Sequence, residues 1–126
     1  MVKKAIVSPI LAPPVGPFSH AIATKGFVFL SGQIGIDSTT GKLIPGGLEA
    51  ETEQLFENLS AVLSAAGKSF NDVVRVGVYL ARMSDFPAMN VIYAKRFTEP
   101  YPARTTIAVA GLPLGASVEV DLVVEA

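Results

Sequence analysis

A long helical stripe set between β-branched runs restricts this chain more than any other pattern in it. From Leu48 to Ala66, the residues Leu55, Phe56, Leu59, Val62, Leu63 and Ala66 recur at helical spacing. Gly67 ends the pattern, and Glu49, Glu51 and Glu53 stand near its positive N-terminal end. The run that follows, Val73 to Ala81, alternates Val74, Val76, Val78 and Leu80 and reads as a strand. A long helix delivering the chain to a strand is a crossover connection, so helices must pack against a sheet.

The flanking segments complete that picture. Lys4 to Ser8 reads as a strand ended by the proline-rich loop Pro9 to Pro17. Phe18 to Thr24 and Phe27 to Gln33 read as two strands joined by a tight turn at Lys25-Gly26, and Asp37 to Gly47 as a loop. Ser84 offers an N-cap for a second helix that carries Phe86, Met89, Asn90, Tyr93 and Phe97 on one stripe and ends near Phe97. Arg104 to Ala110 and Ser117 to Val124 are the last two strands, and as consecutive strands they are expected to be neighbours. The order is βββαβαββ: one α+β domain over residues 1–126, with a mixed sheet and two helices on one face. Several strands are apolar on both sides. The charged fraction is 17%, low against the roughly 25% usual for soluble domains, so other copies of the chain are expected to cover the second face.

Charge and composition narrow the function. Ten basic and eleven acidic residues leave a net charge of -1, and the basic residues are scattered, so no footprint for nucleic acid is present. The chain has no cysteine and one histidine, which removes thiolate nucleophiles and cysteine or all-imidazole metal sites; the acids show no metal-ligand spacing. Phosphate-loop and dinucleotide glycine patterns are missing, so neither a cofactor nor a metal is expected. The N-terminal apolar run is broken at Pro9, Pro13 and Pro14, and no segment approaches the roughly twenty apolar residues of a membrane span. A cytoplasmic protein that does not engage membranes is the expectation.

Arg104 opens an otherwise uncharged strand directly after Glu99-Pro100-Tyr101-Pro102-Ala103. It either caps a strand end in solvent or uses its planar fork of donors to hold a carboxylate. Thr106 shares its face by the period of two. Glu119 and Asp121 point away from the face of Val118, Val120, Leu122 and Val124; Glu119 is either solvated or, if that side is covered, an acid able to position water or carry a proton. Asn90 interrupts an apolar stripe and must tie down backbone or reach a ligand. Ser31-Gly32-Gln33 marks either a bulge or a close approach to a ligand. His20, with no carboxylate or nucleophile near it in sequence, reads as structural.

Together, Pro17-Phe18-Ser19-His20-Ala21, Leu30-Ser31-Gly32-Gln33-Ile34, Asn58-Leu59, Asp85-Phe86 with Met89-Asn90 and Tyr93, Tyr101-Pro102-Ala103-Arg104, and Val118-Glu119-Val120 resemble the RidA (YjgF) family in order and spacing over nearly the whole chain. The resemblance implies a fold like trimeric chorismate mutase, a homotrimer with sites in clefts between subunits. It implies hydrolysis of 2-imino acids and 2-aminoacrylate-type enamines to 2-keto acids and ammonia. It further implies that Arg104 grips the substrate carboxylate, that Glu119 serves the attacking water, and that Ser31, Gly32 and Asn90 line or support the cleft. Phe18 stands where many active members carry tyrosine and Thr106 where many carry cysteine, which bears on rate and substrate range. The alternative is a non-catalytic trimer that binds small keto or amino acids.

Overall fold

The computed structural model describes residues 2–126. Its elements in chain order are β1 (Lys4–Ile6), β2 (Ala21–Ala23), β3 (Phe27–Gln33), α1 (Gly47–Ala65), β4 (Val73–Leu80), α2 (Phe86–Tyr93), β5 (Ala103–Ala108) and β6 (Val118–Glu125). The strands form one sheet in the order β1-β2-β3-β6-β4-β5, with β4 and β5 parallel and every other pair antiparallel. This is the expected mixed sheet of an α+β domain. Among the described residues, no helix is long and apolar enough to cross a membrane.

One expectation about neighbours fails. β5 and β6 follow each other in the chain, yet β4 lies between them. The crossover through α2 sets β5 beside β4 at the sheet edge, and residues 109–117 carry the chain back past β4. β6 thereby gains two partners, β3 and β4, as suits a strand whose Val118, Val120, Leu122 and Val124 are all buried.

Those residues, with Val76, Val78 and Leu80 of β4, face the helices. Leu55, Phe56, Leu59, Val62 and Leu63 of α1 and Met89 and Tyr93 of α2 close over them. Phe56 is fully buried, with Phe70, Tyr93 and Phe97 set edge-on at 5.8, 6.2 and 6.1 Å between ring centroids. Among the described residues, no helix packs on the opposite face, where Phe27, Phe29 and Ile107 are 44%, 46% and 44% exposed.

Several boundaries also differ from expectation. Ser84 does not cap α2 but sits in the short 3-10 turn Met83–Asp85; Asp85 takes the cap position and Pro87 the first turn, where a fixed φ and missing N–H suit a helix start. The helix ends at Tyr93, and Phe97 reaches the core from the turn beyond it. β2 begins only at Ala21, because the Ser19 carbonyl accepts a hydrogen bond from the Ser31 hydroxyl rather than from a ladder amide.

Candidate functional site

Arg104 is fixed by side chains of α2. Its Nη1 donates to Asn90 Oδ1 at 2.7 Å, and its Cζ lies 4.4 Å from the Tyr93 ring centroid and 5.4 Å from that of Phe86. Among the described residues it makes no ion pair: the cations that do are Arg82, with Asp85, and Arg96, with Glu53 and Glu57. An immobilised guanidinium with most of its donors unspent is therefore present on the helix face of the edge strand. Asn90 is exposed at the flank of its stripe and holds neither backbone nor core; its amide orients Arg104. The Thr106 hydroxyl shares the Arg104 face, and like the Tyr93 hydroxyl it is buried without a hydrogen-bond partner among the described residues. Burial raises the Tyr93 pKa and the charge of Arg104 partly offsets this, which leaves the phenol protonated at neutral pH.

Glu119 occupies a second locus. Its strand neighbour on β4 is Tyr79, which in turn opposes Ile107 on β5, whereas Arg104 opposes Val76 and through it Leu122. Val76 and Leu122 are buried under the helices, so Arg104 and Glu119 point to opposite faces of one sheet. Two strand spacings and three residues of offset put their Cα atoms about 14 Å apart. The Glu119 carboxylate leans over Gly32, where an added Cβ would overlap its Oε2 and lie 2.8 Å from its Cδ. Burial first, and the negative charge of Asp121 second, push its pKa up.

Glu119 and Gly32 sit at the wall of a cavity of about 510 Å³, lined otherwise mostly by apolar groups such as Leu11, Phe18, Ile34 and Leu114. Phe18 is 51% exposed. The β3 register shifts between Leu30 and Gln33, so the Ser31-Gly32 pair is a bulge, and the bulge is what brings Gly32 under Glu119. Ser31 ties this bulge down, its N–H to the His20 carbonyl at 2.9 Å and its hydroxyl to that of Ser19 at 2.6 Å. His20 is a structural clasp. Its Nε2 donates to the Ala12 carbonyl at 2.9 Å and its Nδ1 faces the Gln33 amide at 3.3 Å, fastening the proline-rich segment beside the cavity.

Glu51, which the sequence places only near the positive end of α1, has a second and buried role. It is 4% exposed, and its carboxylate accepts from the Ser117 N–H at 2.7 Å and hydroxyl at 3.2 Å, anchoring the start of β6 two residues before Glu119. Its spacing from Leu48 and Leu55 puts it on the buried stripe of α1, a signal that was available.

Residues 9–126 match the family model described as endoribonuclease L-PSP. The 2-iminobutanoate/2-iminopropanoate deaminase of Dermatophagoides farinae is 42% identical over 125 residues, 98% of each chain. The structure of RidA from the Antarctic bacterium Psychrobacter sp. PAMC 21119 superposes with a TM-score of 0.92 at 39% identity, covering 98% of this chain and 99% of that one. That of E. coli TdcF with bound serine gives 0.89 at 29% identity, covering 98% of both. With the family model covering the chain from Pro9 to its end and relatives above 40% identity along nearly its full length, this protein belongs to the RidA (YjgF), or L-PSP, family.

Proposed function

We propose that this chain hydrolyses 2-imino acids, and the enamines in equilibrium with them, to 2-keto acids and ammonia. The observation that carries the reading is Arg104: a guanidinium braced by Asn90 and Tyr93, half-buried, and without a carboxylate partner among the described residues. Such a group takes a small organic anion through the donors that Asn90 leaves unspent. The relatives named as 2-iminobutanoate/2-iminopropanoate deaminases supply the substrate class.

Arg104 and Glu119 face opposite sides of the sheet, so both reach one substrate only if a second copy contributes one of them. A homotrimer with its sites between subunits meets that need, and the exposed Phe27, Phe29 and Ile107 supply an apolar face for it to cover. With the carboxylate held, the adjacent imine carbon lies near a water positioned by Glu119. Water adds across the C=N bond to give a carbinolamine. The C–N bond then breaks, the nitrogen departs as ammonia with the proton it needs, and the C–O bond becomes a carbonyl. The imine carbon is already electrophilic, so positioning and acid–base help of about two to four powers of ten are sufficient.

The test couples an amino acid oxidase, which generates the imine, to measurement of keto acid release. Arg104→Ala and Glu119→Gln should each be inactive while folded. Dissociated and reassembled together in equal amounts, they should recover about a quarter of parent activity, since that share of the clefts receives both intact residues. Full activity in Arg104→Ala sinks the reading, and a mixture that stays dead sinks the shared cleft. A binding module for small amino or keto acids is the second reading, favoured by the serine bound to E. coli TdcF; ligand-induced thermal stabilisation without ammonia release would select it. Against an RNA substrate stands the near-balance of ten basic and eleven acidic residues.

A further inference from the structure

The open face of the sheet carries a second built cluster beside Glu119. Asp121 lies two residues along β6 on the same face, and directly opposite it on β4 is Gly77. A Cβ at position 77 would overlap Asp121 Oδ1 and fall 2.7 Å from Tyr79 Oη. The missing side chain thus leaves the space in which the Tyr79 hydroxyl donates to Asp121 Oδ2 at 3.0 Å. β6 repeats one device twice: Glu119 leans over Gly32 of β3, and Asp121 leans over Gly77 of β4.

We propose that Asp121, held in place by the Tyr79 hydroxyl in the space over Gly77, is a positioning residue that sets the proton affinity of Glu119 and fits it to pass a proton between attacking water and departing ammonia. This rests on the reading of Glu119 given above. The charged and titratable groups on this face are few. β6 supplies Glu119, Asp121 and, at its end, Glu125; β4 supplies Arg75 and Tyr79; β3 supplies only uncharged Phe27, Phe29 and Gly32; and His20 reaches the same cavity from the chain before β2. Arg75 reaches toward β5, its Nη2 donating to Thr105 Oγ1 at 3.0 Å, and its charge acts on Tyr79 rather than on Glu119. Asp121 is therefore the near charge that Glu119 meets, and a like charge disfavours ionisation. The raised pKa of Glu119, with Asp121 as its second cause after burial, agrees with this geometry. A carboxylic acid that keeps its proton at higher pH is a competent donor to a leaving amine and, once ionised, a stronger base toward water.

The experiment is the pH dependence of kcat/KM for keto acid release in the parent, Asp121→Asn, Asp121→Glu, Tyr79→Phe and Glu119→Gln. Asp121→Asn should move the limb that reports Glu119 to lower pH. Tyr79→Phe should move it in the same direction by less, because Asp121 without its donor is free to turn away from Glu119, and Asp121→Glu should restore it. If Asp121→Asn fails to fold, Gly77→Ala serves in its place: the nearest atoms its methyl group meets are the Asp121 carboxylate and the phenol end of Tyr79, both side chain rather than backbone. A limb unmoved by Asp121→Asn or Gly77→Ala, but abolished by Glu119→Gln, overturns the role of Asp121 alone. A limb that survives Glu119→Gln overturns the assignment of Glu119 and this inference with it.

Discussion

Replacing Gly32 by alanine should separate activity from stability with a single methyl group. The new Cβ would overlap Glu119 Oε2 and lie 2.8 Å from Cδ and 3.0 Å from Cγ, so the nearest atoms it meets all belong to one side chain. Gly32 does not adopt a positive φ, and alanine fits its backbone. Glu119 is half-buried beside the cavity and can turn away at a rotamer cost of about 1 kcal/mol or less. For a domain of this size that is a loss in Tm of roughly 3 to 5 °C. A displaced carboxylate forfeits its acid–base help, about two to four powers of ten in kcat. Gly35→Ala is the control. There the Cβ would meet Cα and the carbonyl oxygen of Glu51 at 2.7 and 2.8 Å, backbone of α1 that cannot step aside, for about 1 to 3 kcal/mol of overpacking. Thermal melts and coupled-oxidase rates on both variants decide the matter. Unchanged kcat in Gly32→Ala, or a Tm loss equal to that of Gly35→Ala, would refute the argument.

Three further outcomes follow from the same geometry. Arg104→Lys keeps the charge but loses the planar fork, so kcat/KM should fall at least about tenfold, chiefly through KM; parent kinetics would show that forked recognition is not used. Glu119→Gln should melt higher than the parent at neutral pH. The folded-state pKa of Glu119 is raised, so its contribution is fully present below the ordinary carboxylate pKa and is lost as pH rises through the raised value; the gap between variant and parent must close in acid, and a gap independent of pH contradicts the burial of the charge. Phe56→Ala removes the ring at the centre of the aromatic cluster and should cost about 3 to 5 kcal/mol by denaturant titration, where under about 1 kcal/mol would mean the cluster is loosely packed.

What was legible in the sequence was whatever had a period. The stripe of α1 and the alternation of β4 and β6 gave the elements, because burial on one face imposes a spacing that single residues display. Glu119 and Asp121 were placed on the face away from the buried valines for the same reason. Strand order was not legible: chain adjacency favours β5 beside β6, and only the fit of an apolar strand between two partners puts β4 there. Nor were contacts set by a missing atom. The sequence marks Gly32 as a bulge or a ligand approach; that its empty side receives Glu119 depends on a register shift between Leu30 and Gln33. Asn90 was marked as polar on an apolar stripe, but its partner is a side chain fourteen positions later.

Under the proposed function the two faces of the sheet carry different groups, and that division would make strand order matter to the chemistry. Had β5 paired with β6, the anion clamp and the acid would be one spacing apart, yet alternation could still have kept them on opposite sides. With β4 between them the offset grows to about 14 Å, and no movement of side chains within one chain can close it. The helix face needs Arg104 braced by α2, because a guanidinium on bare sheet would have nothing to hold its fork still. The open face needs Glu119 near Asp121 and over Gly32, because the helix side of β6 is filled by valines and leucine. Each group is where its own environment can form, and under the proposed function an assembly that lays the edge of one sheet against the open face of another would let both touch one small acid.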